Sequence, residues 1–183
     1  RLGESIDAGP ILLQRPVAIG PEETAGELHD RLARLGPELI RQAIRLFQSG
    51  PDPPSHPQDP RRACPAPKLT KADGLIRFDQ PAQVVAQRIR GLWPWPGAAC
   101  RFVSADATRS ETVTLARAVP AGEPAPNTDL PPGTISQQLT VACQPGHLRI
   151  IELRPAGSRL MSYQPDFVNG RRVRPADRFE PLS

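Results

Sequence analysis

Apolar residues recur at helical spacing in the first third of the chain and at strand spacing in the last two thirds, with a nearly patternless stretch between them. Leu28, Leu32 and Leu35 fall at i, i+4 and i+7 on one helical face, and Thr24 followed by Glu27 supplies a capping box ahead of them. Gly36 is expected to end that helix and Pro37 to open a second one. The second helix carries the apolar stripe Leu39, Ile40, Ala43, Ile44 and Phe47 and stops at Gly50. Upstream, residues 5–19 read as an apolar, strand-like run headed by a tight turn, because Gly9 tolerates a positive φ and Pro10 fixes its own. Asp7 sits on that turn, where an Asp commonly hydrogen-bonds its own backbone. One strand and two helices have no sheet of their own to cover, so residues 1–50 read as the end of a larger α/β unit whose remainder precedes Arg1.

The second pattern begins with Leu75, Ile76 and Phe78, a short extended piece. Asp79 is expected to cap a helix that has Pro81 in its first turn and Val85, Ile89 and Leu92 on one face. Two prolines in Trp-Pro-Trp-Pro-Gly, residues 93–97, forbid its continuation. Strands are expected at 98–103, 111–117, 133–136, 138–143, 147–154 and 171–174, many separated by glycine or proline turns, which predicts a closed or half-closed antiparallel barrel. Residues 118–132 read as a long proline-rich loop between two of those strands. The fold class is therefore α+β. The expected divisions are a helical segment 1–50, a linker 51–66 and a barrel 67–183.

Composition sharpens the middle stretch. The chain holds 24 prolines, and their clustering in residues 51–68 leaves too few apolar residues for a core there, so that piece should run extended over the surface. The net charge of +4 is uneven: six basic against seven acidic groups in residues 1–50, two of each in 51–66, and fifteen against ten in 67–183. The positive field belongs to the back of the chain and suits a polyanionic partner there. Lys68 and Lys71, the only lysines, stand at the junction of the two patterns.

The chemistry on offer is narrow. Cys64, Cys100 and Cys143 are too widely spaced for a metal site of the C-x-x-C kind and leave one thiol over in any disulfide scheme, which predicts a reduced, cytoplasmic protein. No apolar run reaches the roughly 20 residues that span a bilayer, and no signal-peptide pattern is present. No metal site, phosphate-binding Gly-rich loop or nucleophile elbow is expected. His29 in a helix and His147 beside a turn read as structural, and His56 as a solvated loop residue. Arg171, Arg172 and Arg174, if extended, would put some guanidiniums on one face, either to protect a sheet edge or to meet phosphates.

Three ordered blocks then carry a resemblance: SIDAGPILLQRPVAIGPEETAGELHDRLARLGPELI, PKLTKADGLIRFDQPAQVVAQRIRGLWPWPGA and LRIIELRPAGSRLMSYQPDFVNGRRVRPADRF. Together they resemble the later part of the methionyl-tRNA formyltransferases. DAGPIL alone, residues 7–12, would also fit other 10-formyltetrahydrofolate enzymes, transferases or hydrolases, and the same chain could be read as a free-standing OB-like RNA-binding module. The resemblance implies the remnant of a Rossmann-like formyl-transfer domain, a linker, and a barrel similar to the OB-fold that binds tRNA. It implies that the chain is monomeric, and inactive by itself because the family's Asn-x-His and folate-loop elements would precede Arg1. It maps the family's catalytic Asp onto Asp7, and the turn bordering the pterin of 10-formyltetrahydrofolate onto Glu4, Ser5 and Ile6. It implies Lys68, Lys71, Arg159, Arg171 and Arg172 as contacts to methionyl-initiator-tRNA. Against the family pattern, Trp93 replaces a common polar residue and the 118–132 loop is long.

Overall fold

A computed structural model describes residues 6–122 and 130–182. The chain divides into two compact units, Arg1–Gly20 with Glu27–Lys68, and Pro21–Gly26 with Leu69–Ser183. Glu4, Ser5 and the tip of the 118–132 loop lie outside the described residues.

In the first unit a single helix, α1 (Ala25–Gln48), replaces the two expected. It begins directly after Thr24, but it runs through Gly36 and Pro37 without a break. Gly36 does not adopt the left-handed conformation that would have ended it, and the φ that proline imposes is itself helical. Pro37 lacks an N–H for the carbonyl of Ala33, yet Ala33 is exposed, so solvent can take that bond. Glu38 supports the turn that follows, accepting from Arg41 at 2.6 Å and from Gln42 at 3.1 Å. No residue of α1 is buried, and Leu32, Ile40, Ile44 and Phe47 of its apolar stripe are 45–61% exposed.

The strand expected over residues 5–19 does not form among the described residues. Ile11 alone pairs, exchanging two 2.8 Å backbone bonds with His56 of the proline-rich stretch. A strand persists only where a neighbour continues the ladder, and the prolines on either side of His56 supply no N–H to extend it. The Gln58 side-chain amide donates to the carbonyls of Asp7 at 2.8 Å and Gly9 at 2.7 Å. Asp59 caps a 3-10 turn at Pro60–Arg62.

The second unit is a barrel-like antiparallel sheet with one helix packed on it. Its strands are β1 (Ala98–Val103), β2 (Ser110–Pro120), β3 (Val141–Ala142), β4 (His147–Pro155), β5 (Met161–Ser162) and β6 (Arg178–Pro181). They lie in the order β3-β4-β2-β1-β6, with β5 beside β4. The expected 133–136 strand is reduced to two bridges, but those bridges join the sheet's two edges: Thr134 pairs with Arg178 of β6 and Ile135 with Val141 of β3. Gly133 sits at this seam with φ +87°, donating to Ala142 and accepting from Phe179. A Cβ there would fall 2.1 Å from the Phe179 carbonyl oxygen, so the closure requires glycine.

α2 (Ala82–Leu92) buries Val85, Ile89 and Leu92 as its spacing predicts, each contributing about 1.5–3 kcal/mol by leaving water. Asp79 does not cap it. Its carboxylate is held by Arg77, and the first helical amide, that of Ala82, donates instead to the carbonyl of Pro145 at 3.0 Å. Beneath the helix, Phe102 meets Phe167 edge-on at 5.3 Å between centroids and tilts against Phe179 at 5.6 Å, geometries that favour aromatic pairs. Tyr163 lies against Phe167, and its hydroxyl is buried without a hydrogen-bond partner among the described residues.

The expected 171–174 strand is absent. Arg171 ends a short helix, α3 (Val168–Arg171), which closes on Arg172 in the left-handed region at φ 51°. The Val173 amide turns back to the Val168 carbonyl at 2.9 Å, which buries the Val173 side chain. The pairing role passes to β6, whose Phe179 is its only buried residue. β2 extends through Pro120 in register with β4, so the 118–132 loop begins later than expected.

Candidate nucleic-acid interface

Asp7 lies on an exposed turn, as its neighbours Gly9 and Pro10 led one to expect, but the positive φ, 56°, falls on Asp7 itself and not on Gly9. Its carboxylate has no hydrogen-bond or ion-pair partner among the described residues, while its carbonyl is fixed by Gln58. Ile6 beside it is 94% exposed. Lys68, the last residue of the first unit, is exposed. Among the described residues no group of three His, Cys, Asp or Glu side chains could hold a metal ion, and no helix is long and apolar enough to cross a membrane.

The arginines expected to meet RNA gather around the start of β2. Arg171 spans to Glu111 at 2.5 Å and lies over the Phe167 ring, 5.9 Å from its centroid. The Glu111 carboxylate holds the Arg171 guanidinium pKa above its ordinary value, so this charge is locally compensated. Arg109 donates to the Arg171 carbonyl. Arg172 is left exposed by the left-handed turn. Arg159 is exposed on the connection between β4 and β5, which is tied to the same end of β2 by the Ala156 amide donating to Thr112 at 2.9 Å. Arg159 and Arg172 are exposed with no ion-pair partner among the described residues, while Arg171 is paired with Glu111.

Lys71 belongs to another part of this surface. It opens a 3-10 turn, Lys71–Gly74, closed by a capping box in which Asp73 accepts from the Thr70 amide at 2.6 Å and hydroxyl at 2.8 Å. Those bonds hold the Asp73 carboxyl below its ordinary pKa. Arg88 of α2 donates to the Asp73 carbonyl at 2.6 Å. The turn packs against residues 93–97: a Cβ on Gly74 would lie 2.4 Å from the Gly97 carbonyl oxygen and 3.7 Å from Pro96. On that neighbouring turn Arg154 lies over the Trp93 ring, 5.2 Å from its centroid, and Trp95 is 53% exposed. The residues that sequence reasoning missed are therefore Arg154 and Trp95. The only signal for them was an aromatic pair inside a proline turn, which does not tell a buried ring from an exposed one.

The other polar side chains of the barrel serve its construction. Asp177 is buried and accepts from the Ala105 and Arg174 amides, both at 2.8 Å, tying two loops together. His147 is buried with Nδ1 3.0 Å from the Thr140 hydroxyl, and burial lowers its pKa. Arg90, on the buried face of α2, donates to the Ala118 carbonyl at 2.6 Å.

Residues 68–172 match the family model described as formyl transferase, C-terminal domain. The chain is 35% identical to a methionyl-tRNA formyltransferase of Heliobacterium modesticaldum, with 97% of this chain and 57% of that protein aligned. It is 37% identical to that of Symbiobacterium thermophilum over 98% of this chain and 54% of the relative, and 38% identical to that of a Methylobacterium species over 97% and 55%. The chain thus spans about half the length of the curated relatives it matches. Among solved structures, HypX from Aquifex aeolicus in complex with tetrahydrofolic acid shares the fold with a TM-score of 0.57 at 18% identity, covering 92% of this chain and 29% of that one. A barrel closed at the Gly133 seam, one packed helix and a matched family model over residues 68–172 place this chain in the family of formyl transferase C-terminal domains.

Proposed function

We propose that this chain is the later part of a methionyl-tRNA formyltransferase, which moves a formyl group from 10-formyltetrahydrofolate to the amino group of methionyl-initiator-tRNA at the start of bacterial translation. The observation that carries the reading is the similarity, over nearly all of this chain, to methionyl-tRNA formyltransferases of several bacteria. Residues 1–50 complete the catalytic domain, 51–66 form the linker, and 67–183 form the tRNA-binding domain of a cytoplasmic monomer.

Formyl transfer needs the attacking amine deprotonated and the oxyanion of the tetrahedral centre stabilised. Asp7 is suited to orient and charge a neighbouring base, because its exposed carboxylate has no partner among the described residues while its backbone is held by Gln58. The folate supplies the formyl group. The turn at Ile6 and Asp7, with the Asp7 and Gly9 carbonyls both held by Gln58, offers it a fixed edge with an exposed apolar side chain. Glu4 and Ser5, outside the described residues, are assigned to the same folate site by the family pattern alone. Lys68, Lys71, Arg159 and Arg172, exposed and unpaired among the described residues, supply cations for the tRNA backbone, and Arg171 is held beside them through Glu111. Phosphate contacts of this kind position an RNA without reading its sequence.

In the complete enzyme, Asp7→Asn lowers turnover by several orders of magnitude with little change in affinity for tRNA, as loss of a base-orienting carboxylate does. Near-normal turnover refutes the assignment. The 183-residue chain alone binds initiator tRNA in a salt-dependent manner and transfers no formyl group; the absence of RNA binding at low salt refutes the reading of its second half.

A further inference from the structure

We infer that Trp95 is a stacking platform for an unpaired nucleotide of the bound RNA, with Lys71 and Arg154 holding the phosphates on either side of it. The inference rests on the reading of this domain as an RNA binder and adds to it a site for single-stranded RNA. An indole 53% exposed contrasts with Phe78, Phe102, Tyr163, Phe167 and Phe179 of the same unit, all buried, and with Trp93, which is half-buried. It is also rigidly presented. The turn that carries it is pinned on one side by the Gly74 approach to the Gly97 carbonyl and on the other by the Gly26 amide donating to the Trp93 carbonyl at 3.0 Å.

Charge selects the partner. Lys71 stands on the 3-10 turn packed against Pro96, and Arg154 lies over Trp93, two residues from Trp95. Neither has an ion-pair partner among the described residues. Asp73, on the same 3-10 turn as Lys71, is already engaged by Thr70. An exposed aromatic face with cations on the two elements packed beside its turn is what single-stranded nucleic acid requires: bases stack on the ring and phosphates meet the charges. An apolar peptide would need the ring but not the cations, and an acidic one the cations but not the ring.

The chain contains two tryptophans, so Trp93→Phe leaves Trp95 as the sole indole while keeping an aromatic face for Arg154. Its emission is titrated with a single-stranded RNA hexamer, the corresponding duplex, and heparin as a polyanion without bases, alongside filter binding at several salt concentrations. The hexamer is expected to quench the emission strongly, and the duplex and heparin only weakly. In the otherwise unchanged chain, Trp95→Ala weakens hexamer binding about ten- to a hundredfold, the range for one lost stacked base, and leaves the salt slope unchanged. Trp95→Phe retains most of the affinity. Lys71→Ala or Arg154→Ala reduces the salt slope by about one each. Hexamer binding with unquenched emission, or equal quenching by heparin, overturns the stacking site and leaves the RNA-binding reading intact. Failure to bind any RNA overturns both. Emission that is blue-shifted and shielded from acrylamide in the complete enzyme without RNA assigns the face to a protein contact and overturns the inference.

Discussion

Substitution of Gly133 by alanine tests how the barrel is closed. Gly133 has φ +87°, and its amide and carbonyl bond Ala142 of β3 and Phe179 of β6 at 2.8 and 2.9 Å. The left-handed conformation costs a non-glycine residue about 1–2 kcal/mol. The new Cβ would meet the Phe179 carbonyl oxygen at 2.1 Å, which backbone cannot tolerate, so the seam must open by enough to weaken both hydrogen bonds. At about 1 kcal/mol net for each bond, the total loss is roughly 3–4 kcal/mol, equivalent to a fall in Tm of about 10 °C. Urea unfolding followed by far-ultraviolet circular dichroism reads this as a lower midpoint. Gly170→Ala is the control: it lies within α3, not in the left-handed region and with nothing within 4 Å of its Cβ position, so alanine should be neutral or stabilising there. A loss below about 1 kcal/mol for Gly133→Ala would show that the seam is not a required closure.

Two further outcomes follow from burial. Burial lowers the pKa of His147, so the unfolded ring binds a proton that the folded one resists; this part of the stability is complete above about pH 6.5 and falls as the pH drops through that range, and His147→Gln should flatten the decline in urea midpoint between about pH 7 and 5. Cys64 is exposed, whereas burial pushes Cys143 up to about 12 and Cys100 higher still, so a thiol reagent at about pH 8 should titrate one cysteine in the native chain and all three after unfolding; rapid reaction of a second native thiol would contradict the packing of β1 and of Cys143 beside β3.

Local signals carried far where a single element could satisfy them. The spacing of Val85, Ile89 and Leu92 specified α2 because its buried face is contiguous in sequence. The bounds of β1 were legible as a short apolar run after a glycine. The same reasoning failed at Gly36 and Pro37, whose torsions a helix can absorb when the affected carbonyl faces solvent. It failed at Asp79 because Arg77 competes for the carboxylate and the helix amide finds the Pro145 carbonyl instead. β6 escaped notice because Arg178 and Glu180 flank Phe179, a pattern with one buried position.

What the residue order determined alone is the alternation of parts: an amphipathic helical stretch, a proline-rich stretch, a basic barrel with one helix, and the turn that presents Asp7. Each depends on torsional preference and on periodicity within a dozen residues. Only the tertiary structure decided which charges are free and which rings are wet. Glu111 lies 60 residues from Arg171 and compensates it, while Arg172, its neighbour, is left open. Trp93 lies beneath Arg154, and Trp95, two positions on, faces solvent. Those outcomes follow from long-range packing, where a side chain's partner is chosen by the fold and leaves no local pattern to read.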